Sequence, residues 1–144
     1  MAAHQFTPAA YRTRVAGAPE APLDPMSRRS PISAQSVRRL ALALPHTVES
    51  SHFAQPDFRV GNKIFATLPR EADIVCLKTT RANLDALIAA DAETFSDEWR
   101  GRWLRVRLDR ITAAMLADLL FDAWSLVAPK ALAKAYRASH EPLK

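Results

Sequence analysis

The sequence predicts a two-layer α+β domain in which helices pack on an antiparallel sheet. Three observations predict it. Helical apolar periods recur near residues 33–44, 79–91 and 112–127. Strand-forming runs stand between them, and short connections join those runs, which suits antiparallel neighbours rather than parallel crossovers. At 144 residues the chain is long enough for one core and one domain.

Residues 1–31 are expected to lie outside that domain. Prolines at 8, 19, 22, 25 and 31 interrupt a stretch with no apolar period, the composition of a disordered leader. Its alanines and arginines faintly suggest an organelle transit peptide, but Glu20 and Asp24 count against one. Disorder, or a chain that properly starts at Met26, fits better. The domain itself is read as residues 32–138, with a short tail over 139–144.

The first helix follows Ser33, a good N-cap, with Ile32 and Val37 at the spacing of a hydrophobic staple. Val37, Leu40, Ala41 and Leu44 then make one apolar face, and Pro45 ends it. Arg38 and Arg39 point to water. The stretch FRVGNKIFATL reads as a hairpin around Gly61-Asn62, glycine first suiting a type II′ turn. A tight register pairs Phe58 with Phe65 and Arg59 with Ile64. IVCLK, residues 74–78, completes a three-strand meander, and its unbroken apolar run marks a central strand.

A second helix, capped by Thr79 or Thr80, turns Leu84, Leu87 and Ile88 inward. A weak strand near Thr94–Trp99 leads to RWLRVRLD, the clearest strand of the chain. There Leu104, Val106 and Leu108 alternate with Trp103, Arg105 and Arg107. The last long helix runs from about Thr112 to Val127 with a broad apolar stripe. Burying its large side chains contributes on the order of 10 kcal/mol gross. Pro129 breaks that helix or begins another, and KALAKAYR sets Lys130, Lys134 and Arg137 on one stripe. The order is therefore α-β-β-β-α-β-β-α.

Charge is unevenly spread along a chain of net +5. Residues 71–98 hold seven acids against two bases, whereas residues 100–144 hold nine bases against four acids. Such an asymmetry favours one basic surface, and basic surfaces attract nucleic acid or acidic proteins. No apolar run is long enough to span a bilayer. A single cysteine, Cys76, excludes an intrachain disulfide and suits a cytoplasmic address; a buried thiol is its expected state.

The candidate phosphate-binding residues are the hairpin pair Arg59 and Lys63, the strand face Trp103, Arg105 and Arg107, and the helix cations Lys130 and Lys134. Arginine forks match phosphate oxygens, and an exposed indole can stack on an unpaired base. The competing account of each is a solvated or packed side chain. For catalysis, the best cluster is His46, Glu49, His52 and Asp57. It lacks metal-ligand spacing, and three glycines form no phosphate loop. No catalysis, cofactor or metal is expected, and His52 is read as orienting its loop.

The blocks LALPHTVESSHFAQPDFRVGNKIFATL, WLRVRLD and WSLVAPKALA, in that order, resemble the MmcQ/YjbR family over about Val37 to Ala133. Pro45, Phe53, Pro56, Phe58, Val60, Gly61, Lys63, Phe65, Trp103, Ala128, Pro129 and Lys130 carry the resemblance. It implies a fold similar to type III secretion chaperones and frataxin-like domains. It also implies DNA binding, through the double wing proposed for its members, and no enzymatic activity. Frataxin-like iron binding needs an acidic first helix; SAQSVRRLALAL has no acid, so that role is not carried over. The expected function is backbone-driven, weakly sequence-specific binding of DNA or RNA. The alternative is a protein-binding or chaperone-like adaptor.

Overall fold

The computed structural model describes residues 32–71, 73–98 and 101–140. The expected leader, residues 1–31, lies outside the described residues, as do residues 141–144 of the expected tail. In chain order the elements are α1 (Ala34–Leu42), β1 (Val48–His52), β2 (Gln55–Val60), β3 (Lys63–Thr67), β4 (Ile74–Lys78), α2 (Arg81–Ala90), β5 (Phe95–Glu98), β6 (Trp103–Arg107), a 3₁₀ turn (Leu108–Arg110), α3 (Ala113–Val127) and α4 (Lys130–His140). The six strands form one antiparallel sheet in the order β1-β2-β3-β4-β6-β5. The class is the α+β fold expected.

Two elements exceed the expected order. β1, VESSH, is an edge strand whose side chains are mostly exposed, so it has no apolar alternation to announce it. Pairing with β2, from Val48 opposite Arg59 to His52 opposite Gln55, makes it a strand and turns the meander into four strands. After Pro129 a new helix, α4, does begin, and it runs two residues past the expected domain end at 138.

Helix ends follow their local chemistry. Ser36 Oγ accepts from the Ser33 N–H at 3.2 Å, Thr80 Oγ1 from the Asn83 N–H at 3.1 Å, and Thr112 Oγ1 from the Met115 N–H at 3.2 Å. The choice between Thr79 and Thr80 as cap thus falls to Thr80. Arg38 does not point freely to water: its Nε donates to both carboxylate oxygens of Glu49, at 2.9 and 3.0 Å, tying α1 to β1.

The β2–β3 hairpin departs from the tight register. Arg59 faces Ile64 as expected, but Phe58 faces Ala66 rather than Phe65. Phe65 is the extra residue of a β-bulge. An unbroken period of two would alternate Phe65 and Ala66 between the two faces and set Leu68 in water. The bulge lets Phe65, Ala66 and Leu68 all reach the core while Thr67 stays on the opposite face. The turn is also different. Gly61 and Asn62 have φ of +56° and +68°, so both central residues are left-handed, as a type I′ turn requires, and not the first alone.

The core lies on one face of the sheet. Phe58, Val60, Val75, Leu77, Leu104 and Val106 point to it, and α3 packs across β3 and β4 with α1 at its side. α3 buries Met115, Leu116, Leu119, Leu120, Ala123, Trp124 and Val127. Trp124 is the largest fully buried side chain; it stacks on Phe121 and leans on Tyr136 of α4. Its Nε1–H donates to the Pro45 carbonyl at 3.0 Å, fastening the α1–β1 turn to α3. Trp124→Phe removes that donor and some packed volume. It is expected to cost about 2–3 kcal/mol, seen as a lower urea midpoint at unchanged m value.

Candidate nucleic-acid interface

Strand alternation puts Asp57 and Arg59 on the face of the sheet opposite the core, together with Thr67, Cys76, Trp103, Arg105 and Arg107. Among the described residues no helix covers that face. The expected Trp103–Arg105–Arg107 row is therefore real and shared with Arg59. Its charges, however, are already engaged. Arg105 donates to Glu71 at 2.6 Å and Arg107 to Asp109 at 3.0 Å. Lys78, directly opposite Trp103, holds its ammonium 5.6 Å from the indole centroid, a cation–π contact on the ring that would have to receive a base.

Arg59 is the most committed of all. Its Nε and Nη2 grip the two carboxylate oxygens of Asp57 at 2.8 and 3.0 Å, and its Nη1 reaches Asn62 Oδ1 at 3.1 Å across the turn. His52 completes the set, its Nδ1 lying 2.8 Å from Asp57 Oδ2. Asp57 has no exposed surface. Burial by itself would raise its carboxyl. The hydrogen bonds from Arg59 and His52, with their charges, outweigh that and hold it below the ordinary 3.8. The same carboxylate raises the Arg59 guanidinium. His52 thus orients its loop, as read from the sequence.

The other members of the candidate cluster weighed for catalysis are elsewhere. Glu49 belongs to Arg38, and His46 stands on the core side. His52 borders a shallow cavity of about 240 Å³ beside Gln55, Cys76, Glu98 and Trp103. Burial, with a smaller push from the Glu98 charge, drives the Cys76 thiol up to about 11, so it stays protonated at neutral pH and is a poor nucleophile.

Lys63 departs from its expected partner. It faces Val60 across the hairpin, so it lies on the core side while Arg59 lies on the open side. The pair flanking Gly61-Asn62 is split across the sheet. Lys63 instead joins Lys130, the first residue of α4, in lining a cleft of about 740 Å³. His46, at φ +61°, lines the same cleft, and none of its described lining residues is acidic. Lys134 lies one helical turn on from Lys130 and is exposed. Arg137 leaves the stripe: its guanidinium carbon sits 5.5 Å from the centre of the Phe121 ring. Lys63 and Lys130, remote from each other in the sequence, thus line one cleft. The signal for it was present in the blocks RVGNK and VAPK, which both carry the resemblance.

Arg59→Ala leaves the buried Asp57 carboxylate with His52 alone. It should lower stability at pH 7, because a carboxylate withdrawn from water loses its bidentate partner. A carboxyl held below its unfolded value stabilises the fold above the ordinary carboxylate range, and that stability is lost as pH falls through the depressed value. Urea melts should show the gap between wild type and variant closing on acidification.

The YjbR family profile matches residues 42–126, more than half of the chain. The fold is similar to the crystal structure of a Deinococcus radiodurans protein with a DUF419 domain. That likeness has a TM-score of 0.60 at 23% identity, covering 74% of this chain and 86% of the other. No protein of curated function matches the sequence significantly. The matched residues run from the end of α1 through the hairpin and the sheet almost to the end of α3, and on that ground the chain belongs to the YjbR family.

Proposed function

We propose that this protein binds nucleic acid through its phosphate backbone, with weak sequence preference and no catalytic step. The observation that carries the reading is the convergence of Lys63 and Lys130 on a cleft with no acidic residue among its described lining. Lys134 extends it along α4. Exposed lysines with no ion pair among the described residues give up mainly hydration and counterions on meeting a phosphate, the exchange that drives non-specific binding. Arg59, Arg105 and Arg107 would first have to break an ion pair, so they contribute little.

The adaptor reading has one observation in its favour. Phe53 is 89% exposed at the tip of the β1–β2 turn, and both it and Ala54 hold positive φ, a conformation costly for side chains of either kind. A ring displayed at that expense suits a protein partner.

Three phosphates neutralised by Lys63, Lys130 and Lys134 give a log–log salt slope of about −2.7, or about a 40-fold loss of affinity between roughly 50 and 200 mM salt. Fluorescence anisotropy with a labelled duplex and a labelled single strand measures it. The double variant Lys63→Ala with Lys130→Ala should flatten the slope by about 1.8. Arg105→Ala with Arg107→Ala should leave it unchanged. Absence of binding at low salt overturns the reading and leaves the adaptor; flattening by the arginine pair instead moves the interface to the open face.

A further inference from the structure

We propose that the cleft between the hairpin tip and α4 holds one unstacked, phosphate-bearing nucleotide, either a free strand end or a mononucleotide. The inference rests on the phosphate-binding reading above and names the part of the nucleic acid that enters.

Contacting the flank of a duplex needs cations on a surface; it does not need a cavity. This cleft, at about 740 Å³, is of the size that takes a small organic ligand. Its lining is divided by chemistry. Lys63, Lys130 and His46 supply positive charge or hydrogen-bond donors, whereas Val60, Val127 and Ala128 are buried apolar residues whose side chains reach its wall. Leu126 also lines it while 44% exposed, in a helix whose other large apolar side chains are mostly buried. An apolar wall beside two lysines fits a ligand with an apolar planar part and an anionic part, and a nucleotide has both. A bare phosphate would leave the wall wet.

The helix end agrees with the charge. In α4 the Ala133 N–H bonds to the Pro129 carbonyl at 3.0 Å, so the amides of residues 130–132 precede the first intrahelical bond. Lys130 and Leu132 line the cleft, which places that amide turn beside it. Pro129, having no N–H, suits the start of the helix and adds no competing donor. Phosphate oxygens at such a turn meet backbone donors as well as the two ammonium groups. The frame is firm: the Trp124 bond to Pro45 fixes the turn that carries His46, and the type I′ turn fixes Lys63. At Gly61 a Cβ would meet nothing within 4 Å, so the wall there stands open to a ligand.

Calorimetric titration of the full chain with adenosine monophosphate, adenosine and inorganic phosphate tests the assignment. The nucleotide should bind at least about tenfold tighter than either of its parts, about 1.4 kcal/mol. Lys63→Ala with Lys130→Ala should weaken it at least about tenfold, and Leu126→Ser, at a half-exposed position, should weaken it several-fold. A single strand with a 5′-phosphate should outcompete the same strand without one if strand ends are the source. Equal competition with tight mononucleotide binding assigns the free nucleotide. Nucleotide affinity no better than that of inorganic phosphate overturns the inference, and so does a Leu126→Ser variant that binds as wild type. Duplex binding with the slope given above, beside no nucleotide binding, overturns this inference and leaves the phosphate reading standing; no binding of any of these probes overturns both.

Discussion

Everything in this molecule depends on α3 having to bury one broad apolar stripe against one face of a sheet. Seven of its side chains are withdrawn from water, each large one contributing about 1.5–3 kcal/mol gross. A six-stranded sheet offers the matching surface only if its strands alternate in phase, and the β3 bulge is the adjustment that keeps them so. With α1, α2 and α4 joining the same core, the opposite face carries Asp57, Arg59, Arg105 and Arg107 beside Cys76 and Trp103. The two-sided character of the protein follows from that single packing requirement.

The bare face is settled by electrostatics rather than by packing. Asp57 is wholly buried there, and a buried carboxylate is tolerable only when its oxygens are paired. Arg59 and His52 provide that pairing, so Arg59 would have to give up an ion pair before meeting any other anion. Arg105 and Arg107 likewise find carboxylates within reach, Glu71 from a different segment and Asp109 from the next turn. A row of arginines is thereby close to neutral. On the core side, Lys63 and Lys130 line one cleft, into which the acid-rich segment from 71 to 98 sends no described side chain.

The cleft itself is a product of element ends. A hairpin tip, a helix start and the turn after α1 come together because Trp124 pulls the last of these onto α3 while Tyr136 of α4 packs on the same indole. One buried aromatic residue thus holds two of these three ends, the turn after α1 and α4, against α3. Such loops are where a rigid scaffold can display polar and charged groups without cost to its core.

The sequence by itself determined the class, the helix starts, the alternation of β6 and the central place of β4. Those features are local: a cap, a period of 3.6 or 2, an apolar run. It also displayed every cation of the candidate site. Only the tertiary structure decided that β1 is a strand, since VESSH has no apolar period and becomes extended through its partner. It likewise decided that Arg59 and Lys63, four residues apart, lie on opposite faces, and that Lys63 and Lys130, remote in sequence, share a cleft. Side-chain direction along a hairpin depends on the turn, and partnership between charges depends on which acids the fold brings within about 4 Å. Both are set by pairings between distant segments, which no local pattern of residues encodes.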